Sequence, residues 1–444
     1  MRKFTKKGMA LLLALIMLPA TVNVVIASSE FIPIRSTFEA ADANVEWSSA
    51  DRSITIVGVD DTFVFFADSQ RAYVNNNAVT LQNNIVIENG SAFIHQADLD
   101  MIMQAALVAD NNIVEGLSGS FTDSPVIIGE ATSFPLNGIL SIPNNVAEQV
   151  PAVVLVHGTG ASDMNGVPAA LPHTPNQPFR DIAEYLASNG IAVIRYDKRT
   201  YTHGLGMFEA YGGSLTVMQE TIEDAILAAN MLRNDPRIDE NRIFIIGHSM
   251  GGMLAPRIHA EGGDFAGLII FAGSPRFLLD ISATQSIMML EAMLAVTEDD
   301  AERKALQALV EDIPAQMSAQ INAMLALSDE EAKDMFIPEL GASVYYILDM
   351  YRNPVEVFLE KATVPILVMQ PANDLQVLVD IDFALYKELL ADRDNVTFKL
   401  YEGLNHVFMT ATADNMADVL LDWEIPDTVD AQVLADIVTW IKGQ

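Results

Sequence analysis

The chain of 444 residues contains no cysteine. That absence excludes disulfides, thiolate metal sites, a cysteine nucleophile and acylation at a lipobox, so any nucleophile must carry oxygen or nitrogen. Basic residues are scarce, with 25 Lys and Arg against 59 Asp and Glu and a formal net charge of −34. Four of the basic residues, Arg2, Lys3, Lys6 and Lys7, stand together at the N-terminus. A surface this acidic repels phosphate backbones and anionic headgroups, so no nucleic-acid partner is expected. Long apolar runs are missing after the N-terminal one, and no later segment is expected to span a bilayer. Also missing are G-x-x-x-x-G-K-[ST], H-E-x-x-H, EF-hand spacing and a G-x-G-x-x-G that opens a helix after a strand. No cofactor is implied.

Half of the residues are apolar, enough for a large core, and the length suits two or three domains. The N-terminus has the pattern of an export signal: a basic start, an apolar run from Met9 to Leu18, Pro19, then Val25-Ile26-Ala27 before Ser28. Cleavage is expected after Ala27, giving a signal peptide at 1–27 and a secreted or cell-surface protein. The alternative is an uncleaved anchor, because Met9 to Ala27 is nearly long enough to cross a membrane.

Residues 28–115 carry short alternating runs, Ser53-Ile54-Thr55-Ile56, Thr62-Phe63-Val64-Phe65-Phe66, Ala78-Val79-Thr80-Leu81 and Ile85-Val86-Ile87. Asn75-Asn76-Asn77 and Asn89-Gly90 supply turns between them. This predicts a small β-rich module closed by a helix from about Gln96 to Val108. The stretch from Val45-Glu46-Trp47 through Ile56, with Tyr73-Val74-Asn75-Asn76 and Ile87-Glu88-Asn89-Gly90, resembles the copper amine oxidase-like N-terminal domain. That resemblance implies cell-envelope attachment or spacing and no metal site. His95 is expected to be a packed or surface histidine.

From 116 to 444 strands alternate with helices, which predicts a mostly parallel sheet covered on both faces. Strands are expected near 125–128, 138–142, 152–156, 191–194, 243–246, 268–271, 366–369 and 396–400. Helices are expected at 179–188, 216–234, 251–261, 378–391 and 430–442. Between Pro275 and about Thr363 only apolar-periodic helix appears, too long for a loop, so a helical subdomain is inserted at about 276–360. Its methionines, Met288, Met289, Met293, Met317, Met324, Met335 and Met350, suit either an adaptable acyl-binding surface or ordinary core.

Chemistry concentrates where strand 243–246 runs into Gly247-His248-Ser249-Met250-Gly251-Gly252 and a helix begins. A serine on so tight a turn needs small residues two before and two after it, because the backbone is strained and a Cβ would collide. A hydroxyl also needs a base, an orienting acid and donors for an oxyanion. The strand at 152–156 ends in His157-Gly158-Thr159-Gly160, which offers Thr159 N–H beside Met250 N–H as the oxyanion hole; His157 is expected to shape that loop. After strand 366–369, Pro371-Ala372-Asn373-Asp374 supplies Asp374 as the acid, with Asp380 and Asp382 as rivals in the next helix. His406, in Gly403-Leu404-Asn405-His406, is the only histidine beyond the acid. His173 and His203 are expected in exposed loops near the pocket mouth.

These motifs, with Tyr196-Asp197-Lys198-Arg199 and Asn373 to Val377, resemble the α/β-hydrolase superfamily, close to its secreted esterase and serine-aminopeptidase-like members. One departure, Asp197-Lys198-Arg199 for the commoner Asp-x-Arg-Gly, falls in the loop lining the pocket floor. The resemblance implies an α/β-hydrolase doubly wound, mostly parallel sheet with a helical cap insertion after the β-rich module. It also implies Ser249 as nucleophile, His406 as base and Asp374 as orienting acid. The function expected is an exported serine hydrolase that cleaves small-molecule carboxylic esters. A peptidase or amidase on the same triad stays open, with Glu291, Glu298, Asp299 and Asp300 as candidates to hold a substrate amine. So does a non-catalytic cell-surface binding protein.

Overall fold

The computed structural model describes residues 31–39, 44–48, 53–57, 62–66, 71–74, 77–81, 85–88, 91–99, 102, 120–144, 146–172, 174–337 and 342–444. The expected signal segment, most of the helix expected after Gln96, and His173 lie outside the described residues. The chain divides into two compact units, with the boundary between residues 118 and 119.

The first unit holds β1 (Phe31–Pro33), α1 (Ile34–Glu39), β2 (Asn44–Ser48), β3 (Ser53–Val57), β4 (Thr62–Phe66), β5 (Arg71–Val74), β6 (Asn77–Thr80), β7 (Val86–Glu88) and β8 (Ser91–His95). Strands β2 to β6 form an antiparallel meander, and β1-β8-β7 a second small sheet. Register follows the period of two: Ile54 and Ile56 pair with Phe65 and Phe63, all four buried, while Thr55 and Val64 between them stay half-buried. His95 accepts a hydrogen bond from Ala97 N–H at 3.3 Å.

The second unit begins with β9 (Phe121–Ile128), β10 (Leu136–Pro143), β11 (Val150–Val156), α2 (Pro178–Ser188), β12 (Ala192–Tyr196) and α3 (Arg199–Tyr211). It continues with α4 (Glu223–Arg233), β13 (Ile238–His248), α5 (Met250–Ile258) and β14 (Gly267–Phe271). The insertion comprises α6 (Leu278–Val296), α7 (Asp300–Leu325), α8 (Asp329–Lys333), β15 (Phe336–Ile337), β16 (Ala342–Ser343), α9 (Val344–Arg352) and α10 (Val355–Lys361). The chain ends with β17 (Ile366–Pro371), α11 (Ala384–Leu389), β18 (Val396–Tyr401) and α12 (Ala431–Gly443). The eight-stranded sheet has the order β18-β17-β14-β13-β11-β12-β10-β9. It is parallel from β18 to β12 and antiparallel where β10 pairs with β12 and β9.

The central strands are apolar on both sides because each feeds two cores. In β11, Ala152, Val154 and Val156 join the core under α4, α5 and the insertion, while Val153 and Leu155 join the one under α2 and α12. Each such Val or Leu taken fully out of water contributes about 1.5–3 kcal/mol. Parallel alignment brings the C-terminal ends of β11, β13, β17 and β18 to one edge, where the chemistry-bearing turns begin.

Three expectations need correction. His203 lies in α3, not in a loop; its Nε2–H donates to Pro135 O at 2.7 Å. The insertion is not wholly helical, because β15 and β16 pair antiparallel within it. Helix α6, with 19 residues of mean hydropathy 1.3, is by length and composition long enough to cross a membrane. Here α6 packs against α7 as part of the second unit, and Leu279, Ile281, Ser282 and Ser286 are buried.

Candidate active site

Ser249 occupies φ +55°, ψ −118° between the last residue of β13 and the first of α5. A non-glycine residue there is strained, and the strain is held by the packing on either side. A Cβ on Gly247 would collide with the carbonyl of Gly251, and one on Gly251 with that of Val156. The two glycines are therefore steric requirements of this turn. Met250 opens α5, so its N–H has no acceptor within the helix. Gly158, past the end of β11, lies against the serine: a Cβ there would stand 2.9 Å from Ser249 Cβ. Thr159, next in sequence, is exposed.

Asp374 follows β17 and is buried. Its Oδ1 accepts from Gln376 N–H at 2.8 Å and Val377 N–H at 3.0 Å, and its Oδ2 from His406 Nδ1–H at 2.7 Å and Gln370 Nε2–H at 3.2 Å. With Asp374 purely an acceptor, the His406 proton is held on Nδ1 and Nε2 is left as the basic nitrogen. The Asn405 side chain folds the loop around His406, accepting from Val407 N–H and Met409 N–H, each at 3.1 Å. Asp374 and His406 are thus directly joined. Ser249 meets the His406 loop through its neighbour His248, whose Nε2–H donates to His406 O at 3.0 Å.

Of the rivals of Asp374, Asp380 is exposed and Asp382 is otherwise engaged. Asp382 is fully buried and pairs with Arg276 at 2.7 and 3.0 Å, besides accepting from Ser274 and from Leu378 N–H. His157 donates from Nε2 to Asp163 O at 2.9 Å, and burial, with the Lys198 charge adding to it, pushes its imidazole down to about 3. Desolvation first and His406 second push His248 down to about 3 as well. Asp197, which accepts from Met164 N–H at 2.8 Å, is pushed up to about 7 by burial.

Sequence reasoning did not find His248 or Gln370 as partners of the site. It also missed the buried Lys198, whose Nζ donates to Gly158 O at 2.8 Å and pairs with Glu220 at 2.9 Å. No local signal marked it, because Lys198 stands at the variable position of the Asp-x-Arg-Gly pattern. A cavity of about 500 Å³ lies between α5 and the insertion, with Met253, Leu254, Phe277, Leu278, Tyr351 and Phe358 among its walls and none of Ser249, Asp374 or His406.

The topology, the strained serine and the Asp374–His406 pair agree with one family model: residues 176–412 match that of serine aminopeptidase, S33. The chain belongs to the serine aminopeptidase S33 family. Its N-terminal residues 18–115 match the copper amine oxidase N-terminal domain. Among relatives of this S33-family chain, esterase EstD of Thermotoga maritima is 30% identical over 307 residues, which span 69% of this chain and 65% of EstD. This chain therefore matches less than two thirds of that relative's length. Among solved structures, Est1E from Butyrivibrio proteoclasticus is 16% identical with a TM-score of 0.41, covering 72% of this chain and 99% of Est1E. The Pyrococcus furiosus esterase Pf2001 is also 16% identical, with a TM-score of 0.40, covering 74% of this chain and 92% of that one.

Proposed function

We propose that this S33-family chain is an exported serine esterase. The reading rests chiefly on the 2.7 Å hydrogen bond between His406 and a fully satisfied, buried Asp374, one loop away from a serine held in strained backbone. His406 Nε2 takes the proton as Ser249 Oγ attacks the ester carbonyl carbon. The developing oxyanion is received by the N–H groups of Thr159 and Met250. Collapse expels the alkoxide, which takes that proton from His406, and leaves an acyl group on Ser249. Water, deprotonated by His406, then releases the carboxylic acid and restores the serine.

The insertion acts as a cap over this edge. Two contacts support that: Gln285 of α6 donates to Gln376 O at 2.9 Å, beside the N–H groups that hold Asp374, and Tyr346 OH of α9 stands 3.9 Å from Met250 Sδ. A peptidase that recognises a free substrate amine would need a carboxylate held ready for it. Asp299 is instead the N-cap of α7, accepting from Ala301 N–H and Glu302 N–H, and Glu291, Glu298 and Asp300 lie exposed. The basic and apolar start of the sequence supports export, and the match at 18–115 supports retention at the cell envelope by the first unit.

A fluorophosphonate probe tests the nucleophile, and turnover of p-nitrophenyl esters against aminoacyl-nitroanilides tests the bond cleaved. Label on Ser249 with ester turnover well above anilide turnover is expected. An intact protein that stays unlabelled would return the chain to the role of a surface binding protein.

A further inference from the structure

Lys198 is 2% exposed and Glu220 7% exposed, a buried ion pair that the proposed chemistry does not use. Its contacts lead toward both proposed oxyanion donors, through Gly158 to Thr159 and through Tyr346 to Met250. On one side, Lys198 Nζ donates to Gly158 O at 2.8 Å while it contacts Glu220 Oε1 at 2.9 Å. On the other, Tyr346 OH donates to Glu220 Oε2 and stands 3.9 Å from Met250 Sδ. Glu220 reaches this position from a π turn, Met218–Ile222, a distortion frequent at functional sites.

The carbonyl that Lys198 holds belongs to the same peptide unit as Thr159 N–H. In a planar trans peptide the C=O and N–H bonds point in opposite directions, so fixing the oxygen of Gly158 fixes the direction of the Thr159 donor. A cation on the carbonyl also polarises the amide and makes its N–H a stronger donor. Burial of the pair keeps the attraction from being screened by water.

We propose that Lys198, braced by Glu220 and Tyr346, is the positioning residue of the oxyanion hole. Through it, α9 of the insertion is coupled to the donors that receive the oxyanion. Substrate contact by the insertion that moved Tyr346 would be felt at Thr159 and Met250 without either touching the insertion's ligand. This inference rests on the serine-hydrolase reading of Ser249, and its test reads the oxyanion hole with and without an ester.

The variants are Lys198→Met/Glu220→Gln, which removes both charges together and leaves no buried lone ion, Glu220→Gln and Tyr346→Phe. Two rates are measured on folded protein: kcat and KM for p-nitrophenyl butyrate, and the rate constant for fluorophosphonate labelling of Ser249. The double variant is expected to lose about 10²-fold in kcat and a comparable factor in labelling rate, the scale of one impaired oxyanion donor. KM should stay within about twofold, because the donors act on the transition state more than on bound substrate. Tyr346→Phe should cost roughly threefold to tenfold in kcat, the value of one hydrogen bond in the network.

A folded double variant with wild-type kcat and labelling rate, or one whose loss is confined to KM, overturns the proposal. Should the double variant not fold, Glu220→Gln decides: unchanged rates there also overturn it. A wild type that labels at Ser249 yet cleaves no ester sinks the ester reading alone, and the labelling rates still test Lys198. A wild type that does not label removes the oxyanion hole and the proposal with it.

Discussion

His248 donates a hydrogen bond from its ring to the main-chain carbonyl of His406 at 3.0 Å, and the two imidazoles lie 4.7 Å apart. The residue before Ser249 thereby anchors the loop that carries His406. The same loop is clamped from its far side, where Phe408, at φ +59°, stacks on Phe271 at 3.6 Å. The turn of Ser249 and the loop of His406 are thus tied together by packing and by a side-chain hydrogen bond to a main-chain carbonyl.

Ser249→Ala is expected to abolish turnover and fluorophosphonate labelling while leaving the thermal transition in place, because only a hydroxyl leaves a turn whose backbone is unchanged. Ester turnover well above background in that variant would require another nucleophile.

Asp374→Asn should lower kcat by about 10⁴, the effect of an amide that favours the wrong histidine tautomer. Asp382→Asn should act differently. It breaks a buried ion pair with Arg276 and should cost about 3–5 kcal/mol of stability, with kcat of the folded fraction kept. Kinetics and denaturant titration of both variants check the pair, and a 10⁴-fold loss in the Asp382 variant would reassign the acid.

Stability should fall as the solution is acidified through the histidine range. His157 and His248 are held down to about 3 by burial, whereas an unfolded histidine titrates near 6.5. Between those values the unfolded state binds more protons than the folded one. The stabilisation is therefore complete above about pH 6.5 and is lost progressively as pH falls toward 3. Because His157→Gln keeps a side-chain donor for Asp163 O, its Tm should decline less steeply from pH 6.5 to 4. An identical slope in wild type and variant would contradict the assignment.

Substitution of Met289, Met293 or Leu294 by Ala or Trp should change the ratio of short-chain to long-chain ester turnover more than Tm. Met293 is 42% exposed, and Met289 and Leu294 are half-buried, so α6 presents apolar side chains that its own packing leaves uncovered. Altered Tm with unchanged chain-length preference would make α6 structural packing. The buried Met317, Met324 and Met350 are core.

Removal of residues 28–115 should leave p-nitrophenyl ester hydrolysis within about twofold, since the first unit has a separate core from Ile34 to Ile102 and all proposed catalytic groups lie in the second. Retention at the cell surface is the property expected to change. Loss of activity in a folded truncation would show that the first unit takes part in the site.

Strand positions were legible because β11, β14 and β17 are apolar on both faces, a pattern that only a doubly covered sheet produces. Helix α3 was not legible. Gly204 and Gly206 weaken its intrinsic preference, and the ion pair from Arg199 to Asp224 on α4 helps hold its first turn. That partner lies 25 positions away, beyond the reach of any local pattern.

The sequence by itself determined which turns carry Ser249, Asp374 and His406, because strain, small flanking residues and strand ends are local properties that neighbouring residues encode. Only tertiary structure decided what surrounds them. Gln370 and the N–H groups after Asp374 saturate that carboxylate, His248 ties down the His406 loop, and Lys198 reaches Gly158 across 40 positions. These contacts depend on the parallel sheet bringing separate strand ends to one edge, where a hydrogen bond is set by distance in space and leaves no periodicity in the chain.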